Sequence, residues 1–257
     1  MSDGANPSIQ KRRDFYIKTT YNGLTLHMIQ TDPSNITLKN LRCEKNLKQS
    51  GYYGINGGFF NFANAPTRPR RVISLAKVDG DVVGPNAEDG NSNNQNGGGI
   101  IVWDGSKLSA LFSKPNTDAA DIPGTSRAGT WAQGGISLWL GRSDYWSAVA
   151  TGNGGTRPAQ TASTPKSART GLVADMNRNL VYLIVTTDKC NYSEFRTAIQ
   201  GYFSITDGSS VNARYAGLML DGSGSSQLRV TCSTIPDVEI SGDGRGLAEV
   251  IVLKDNT

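Results

Sequence analysis

The sequence predicts an α+β fold: one β-rich mixed domain with few helices and long loops rich in glycine and asparagine. Three observations predict it. Short apolar runs are joined by two-residue turn signals, Asn22-Gly23, Asp79-Gly80 and Asp104-Gly105. The best helical period falls on a single segment, Tyr192 to Phe203, where Phe195, Ile199 and Tyr202 share a face. Thirty of the 257 residues are glycine, well above a usual ~7%. That excess has no three-residue period, so it marks turns and short strands and excludes collagen.

The elements follow in order. Asp14 to Thr20 and Leu24 to Thr31 read as a hairpin over Asn22-Gly23. Asn35 to Leu41 alternates as a strand, and residues 42–50 suit a short helix ended by Gly51. Val72 to Val83 and Ile100 to Phe112 read as two further hairpins. Residues 84–99 form a long loop, 113–130 a second irregular stretch, and 150–168 another long loop. Ile136 to Leu140 is a strand. Thr170 to Ala174 and Leu180 to Thr187 pair over Asp175 to Asn179. Ser193 is a candidate cap for the helix. Ala216 to Leu220, Gln227 to Cys232 and Ala248 to Leu253 complete the strands.

Composition excludes several classes of function. The chain is 37% hydrophobic and 19% charged, enough apolar matter for a core. No apolar run reaches the ~18 residues of a membrane-spanning helix. A net charge of +4 is too mild for a nucleic-acid binder, and none is expected as a partner. Cys43, Cys190 and Cys232 are too few and too widely spaced for a disulfide framework or a zinc motif. The opening residues are polar and lack a signal-peptide core, so residues 1–13 read as an arm before a domain of residues 14–257. This suits a cytoplasmic or phage-associated protein, or an extracellular one whose leader has been removed.

Familiar motifs fail on their spacing. Asp175-x-Asn177-x-Asn179 opens like a calcium loop, but Leu180 and Thr186 stand where that loop needs Gly and Glu. There is no phosphate-binding loop, and Gly242 to Gly246 lacks the dinucleotide spacing. His27 is the only histidine, so no multi-histidine metal site can be built. It lies in an alternating strand, as either a sheet-face histidine or an acid/base.

Three segments carry chemistry. In Asn56-Gly57-Gly58-Phe59 the glycine pair permits close backbone approach, Asn56 offers donors and an acceptor, and Phe59 offers a stacking face. In Ser167 to Leu172, Arg169 stands at the threshold of a strand, suited to an oxyanion such as a phosphate diester. In Leu218 to Ser226 an apolar strand delivers Asp221 into Gly222-Ser223-Gly224-Ser225, whose backbone N–H groups can receive an anion.

Taken in order, GINGGFF, AQGGISLWLG, SARTGL, LDGSGSSQLRV and GRGLAEVIVL resemble the phosphodiester glycosidase family over residues 24 to 253. The family's pattern at the strand-end acid is close to LDGGGS, with Ser223 here in place of the middle glycine. The resemblance implies hydrolysis of a sugar-1-phosphate diester to free sugar and phosphomonoester. It implies that Arg169, Arg245 and the Gly222 to Ser225 backbone hold phosphate. Asp221 is then the carboxylate at the anomeric centre or the base that activates water. Asn56 and Thr170 bond sugar hydroxyls, Phe59 stacks on the ring, and Gln133 lines the cleft. His27 and Glu194 are the candidates for a second acid/base, Glu194 lying on the helix. No cofactor is implied; Asp221 and loop acids offer oxygen ligands to a divalent cation. Cell-wall glycopolymers contain the same linkage type. The competing expectation is a non-catalytic module that binds a sugar phosphate or nucleotide.

Overall fold

The computed structural model describes residues 15–61, 71–84, 98–112, 121–151, 165–208, 214–232 and 235–254. The arm of residues 1–13 and most of the loops at 84–99 and 150–168 lie outside these residues. The first strands are β1 (Phe15–Tyr21), β2 (Leu24–Thr31), β3 (Ile36–Asn40), β4 (Gly54–Asn56), β5 (Phe60–Asn61) and β6 (Arg71–Val72). There follow β7 (Ala76–Val78), β8 (Asp81–Val82), β9 (Gly98–Trp103), β10 (Leu108–Phe112) and β11 (Trp131–Ser137). The last are β12 (Ser167–Asp175), β13 (Leu180–Cys190), β14 (Tyr215–Met219), β15 (Leu228–Cys232), β16 (Ile235–Ile240) and β17 (Glu249–Leu253). The helices are α1 (Leu47–Ser50), α2 (Ser143–Thr151) and α3 (Tyr192–Phe203).

Every strand pair among the described residues is antiparallel. A large sheet runs β1-β2-β13-β12-β14-β11-β7-β8, with β9 and β10 joined to β11; a smaller one runs β16-β15-β4-β17-β3. Alternation along each strand sends one set of side chains between the sheets. Ile29, Leu172, Leu183 and Leu218 of the large sheet share one core with Ile55, Leu228 and Ile251 of the small one. On the other face of the large sheet, Leu26, Met28, Val173 and Ile184 meet Phe195, Ala198 and Ile199 of α3. Val250 and Val252 of the small sheet cover Leu47 of α1.

This architecture corrects the expected α+β class: the molecule is a predominantly antiparallel β-sandwich. The two sheets bury each other, and α3 is a 12-residue cover on one outer face rather than a layer of equal standing. The helical period at 192–203 was real, but one period says nothing about what the strands pack against.

Locally, most elements formed where turn chemistry placed them. Asn22 and Gly23 both adopt positive φ (48° and 75°), as the two-residue hairpin requires. The cap of α3 is Asn191, not Ser193: Asn191 Oδ1 accepts the Glu194 N–H (2.8 Å), and Glu194 Oε2 accepts the Asn191 N–H (2.9 Å). β11 begins at Trp131 rather than Ile136, because Trp131 to Ser137 are all buried and so carry no alternation. α2 and β16 were not foreseen.

β11 positions the site. One edge pairs with β9 along Trp131 to Ile136. The other edge is divided: Trp131 to Gln133 pair with β7, and Ile136 and Ser137 pair with β14. The large sheet therefore splits beside Gly134 and Gly135.

Candidate functional site

The segment after β4 passes through this split. Gly57 N–H donates to the Glu249 carbonyl (2.9 Å) and Gly58 N–H to Glu249 Oε2 (3.0 Å), both at the small sheet. One residue on, Phe59 packs against the outer cluster that holds Met219 and Phe195. The glycines make room for this passage. A Cβ on Gly57 would lie 2.5 Å from Glu249 Cδ, and one on Gly58 would lie 2.5 Å from Ser74 Cβ.

Asp221 is tied to the same segment. Its N–H donates to the Gly57 carbonyl (3.3 Å), and its carbonyl accepts from Asn56 Nδ2 (2.8 Å). β14 pairs with β12 from Gly171 opposite Met219 onward, and Leu220 N–H still reaches the Thr170 carbonyl (2.9 Å). Carried two residues further, that register sets Arg169 across from Asp221, both on the face that Met219 points to.

Burial pushes the Asp221 carboxyl up to about 6, against the Ser225 hydroxyl, the Gly222 N–H and the Arg245 charge, which favour ionisation. Arg169 is buried; its Nε donates to the Cys190 carbonyl (3.1 Å) and its Nη2 to the Pro165 carbonyl (3.2 Å). Its guanidinium lies 4.2 Å from the Tyr192 ring centroid. No carboxylate is hydrogen-bonded or ion-paired with it among the described residues. Nη1 lies 3.5 Å from where a Gly222 Cβ would be, directing the cation to the turn after Asp221.

The turn after Asp221 is a short 3-10 turn, Ser223–Ser225, in which the Ser225 N–H returns to the Gly222 carbonyl (3.2 Å). Ser223 adopts φ 59°, so a serine occupies a glycine-type backbone position. Asp243 N–H donates to the Gly224 carbonyl (3.0 Å), and the Asp243 carboxylate binds Arg245 through Nε and Nη2. Arg245 is thus an exposed residue at the rim, already engaged by an acid.

Asn56, Thr170 and Gln133 are not at the surface of the cleft. Asn56 Oδ1 accepts from Thr170 Oγ1 (2.9 Å) and from the Gln227 N–H (3.0 Å). Thr170 also meets Ser226 Oγ (3.2 Å). Gln133 Nε2 donates to the Gly134 carbonyl (3.0 Å). All three are fully or almost fully buried and form a polar layer behind Asp221. Of the five buried side-chain N and O atoms without a hydrogen-bond partner among the described residues, three belong to this region: Gln133 Oε1, Ser225 Oγ and Glu249 Oε1.

Neither candidate for a second acid/base is hydrogen-bonded to Asp221 among the described residues. His27 Nδ1 is bonded to Tyr16 Oη (2.6 Å), and burial and Lys18 lower its pKa. It faces Val185, whose other neighbour is Thr170, two strand spacings or ~10 Å away. Glu194 caps α3 and binds Lys166 (2.6 Å) at the surface. The acid that the structure does bring to the site is Glu249, which sequence reading placed within an apolar strand. Its signal was a lone acid among Ala248, Val250, Ile251, Val252 and Leu253.

A cavity of about 930 Å³ lies elsewhere, along Phe112, Trp139, Tyr145 and Leu218, and none of the expected site residues lines it. Trp139 is stacked between Phe112 (4.3 Å) and Tyr145 (4.4 Å).

No protein-family model matches the chain, and no curated protein matches it. Solved structures do. The catalytic domain of zebrafish N-acetylglucosamine-1-phosphodiester alpha-N-acetylglucosaminidase, auto-inhibited by its pro-peptide, aligns over 94% of this chain and 82% of its own, at 14% identity and TM-score 0.56. A protein described as exported, from Burkholderia pseudomallei, aligns over 90% of this chain and 74% of its own, at 12% identity and TM-score 0.51. The likeness is one of fold.

Proposed function

We propose that this protein is a hydrolase that cleaves the bond between sugar and phosphate in a sugar-1-phosphate diester. The arrangement that carries this reading is Arg169 and Asp221 at adjacent strand ends, which the β12–β14 register, continued past Gly171 and Met219, sets across from each other. One is a buried guanidinium with no carboxylate hydrogen-bonded to it among the described residues, and the other a carboxyl that burial raises to about 6. Fold likeness to a phosphodiester glycosidase catalytic domain supports it.

The chemistry suits these residues. The leaving group is a phosphate monoester, stable as an anion, so it needs charge stabilisation more than a proton. Arg169 and the N–H groups of Ser223 and Gly224 hold the phosphate; the Ser225 N–H is taken by the Gly222 carbonyl (3.2 Å). Asp221 acts at the anomeric carbon, where positive charge develops, and is ionised above about pH 6. The Asn56–Thr170–Ser226 layer holds the backbone of Asp221 in place and does not touch the sugar.

The test is release of sugar from an N-acetylglucosamine-1-phosphodiester and its glucose analogue, with and without EDTA. Wild type should release sugar, with an acid limb near pH 6. Asp221→Asn should lose about 10²–10⁴-fold in kcat while staying folded. Arg169→Lys should raise KM, because an ammonium cannot reproduce the guanidinium fork. Saturable binding of the diester with no sugar released would replace this reading with that of a binding module.

A further inference from the structure

The carboxyl of Glu249 sits in the interior between the sheets. Residues of odd number on β17 point inward, as Ile251 and Leu253 show. Trp131 marks the inward face of β11, so Gln133 points inward from the opposite sheet. Glu249 is 2% exposed. It receives one main-chain donor, Gly58 N–H, on Oε2, while Oε1 has no hydrogen-bond partner.

Among the described residues around it there is no counter-charge. Asn40 lies opposite it on β3. Gly57 and Gly58 press on it from the segment after β4, and the Gln133 amide approaches from β11. Beyond Gly58 lies Ser74. None of these is charged. The nearest titratable group tied to the segment is Asp221, beyond Gly57, and it is itself an acid. An ionised carboxylate so enclosed, with only neutral donors and no cation among the described residues, is strongly disfavoured relative to the neutral acid.

We propose that Glu249 is a positioning residue that works as a neutral carboxylic acid, holding the Gly57–Gly58 backbone on which Asp221 rests. Burial raises its pKa to about 7, against the favourable Gly58 N–H and Gln133 amide. As pH rises through that value the proton leaves, a bare negative charge remains in the interior, and the Gly57–Gly58 segment must shift or admit water. Asp221 then loses its support. Turnover therefore has an alkaline limb that belongs to Glu249, in addition to the acid limb of Asp221. This limb rests on the proposed hydrolysis; the protonation of Glu249 does not.

The experiment is infrared titration of the full chain, wild type against Glu249→Gln, with sugar release measured over the same pH range. Wild type should show a protonated carboxyl C=O band that disappears near pH 7. Glu249→Gln, which keeps the shape without the charge, should lose the component of that band that titrates near pH 7, keep that of Asp221 near pH 6, and hold its turnover above pH 7. Thermal midpoints of Glu249→Gln should fall less than those of wild type between pH 5 and 8. A wild type with no carboxyl band above pH 6, or a band that persists unchanged in Glu249→Gln, overturns the proposal. If the band behaves as expected but no diester releases sugar, the hydrolase reading fails and the neutral Glu249 stands. An alkaline limb unchanged in Glu249→Gln would overturn its link to Asp221.

Discussion

Asn56 spends its amide entirely inside the protein. Its two polar atoms join Thr170, the Gln227 N–H, the Gly57 carbonyl and the Asp221 carbonyl. Asn56→Ala should therefore destabilise the fold by about 1–3 kcal/mol, since buried partners are left unmade, and turnover should fall with it. Urea unfolding checks the first effect and sugar release the second; an unchanged unfolding midpoint would show that the layer is dispensable. From the sequence, the importance of Asn56 was readable in its glycine and aromatic neighbours. Its role was not, because whether a side chain faces ligand or neighbour depends on burial, and burial is set by residues more than a hundred positions away. Asp221 and Arg169 were readable as strand-end groups beside small residues. Glu249 was not, since an acid in a strand is ordinarily on a solvated face.

At the scale of elements, the site depends on a strand whose edge is shared. β11 gives half of one edge to β7 and half to β14, and the Gly57–Phe59 segment occupies the gap. Gly58→Ala places a Cβ against Ser74 and should cost about 1–3 kcal/mol by overpacking. A thermal shift measures this, and sugar release should fall further than the stability loss alone explains, because Phe59 and Asp221 are displaced together. Hairpins such as β1–β2 were legible because their turns are chosen by two adjacent residues. β11 was not, because a strand buried on both faces has lost the alternation that identifies strands. α3 was legible in extent from its apolar face, although its cap was misplaced by two residues.

For the whole molecule, pH should act between 5 and 8 through the two acids whose pKa burial raises most, Asp221 and Glu249. Asp221 and Glu249 both hold their protons more tightly folded than unfolded. Their contribution to stability is complete below the unfolded values near ~4, and is lost as pH rises through about 6 and about 7. The thermal midpoint should fall from pH 5 to pH 8, and fall less in Asp221→Asn. A midpoint that rises over that interval would show that other groups dominate. The sandwich itself was only half legible: strand positions could be read locally, but the partition into two sheets rests on pairings between distant strands.

Those distant pairings set the order in which the molecule can be made. β3 and β4 are consecutive strands of the small sheet, yet they do not pair with each other; β17, near the end of the chain, lies between them. During synthesis the strand that carries Asn56 must wait for β15, which begins at Leu228, and longer still for β17, which begins at Glu249. The residue that supports Asp221 arrives with that closing strand. Folding of this kind is slow, because loop closure precedes the contacts that reward it. The end of the molecule that carries Asn56 and Asp221 is thus the last to be assembled.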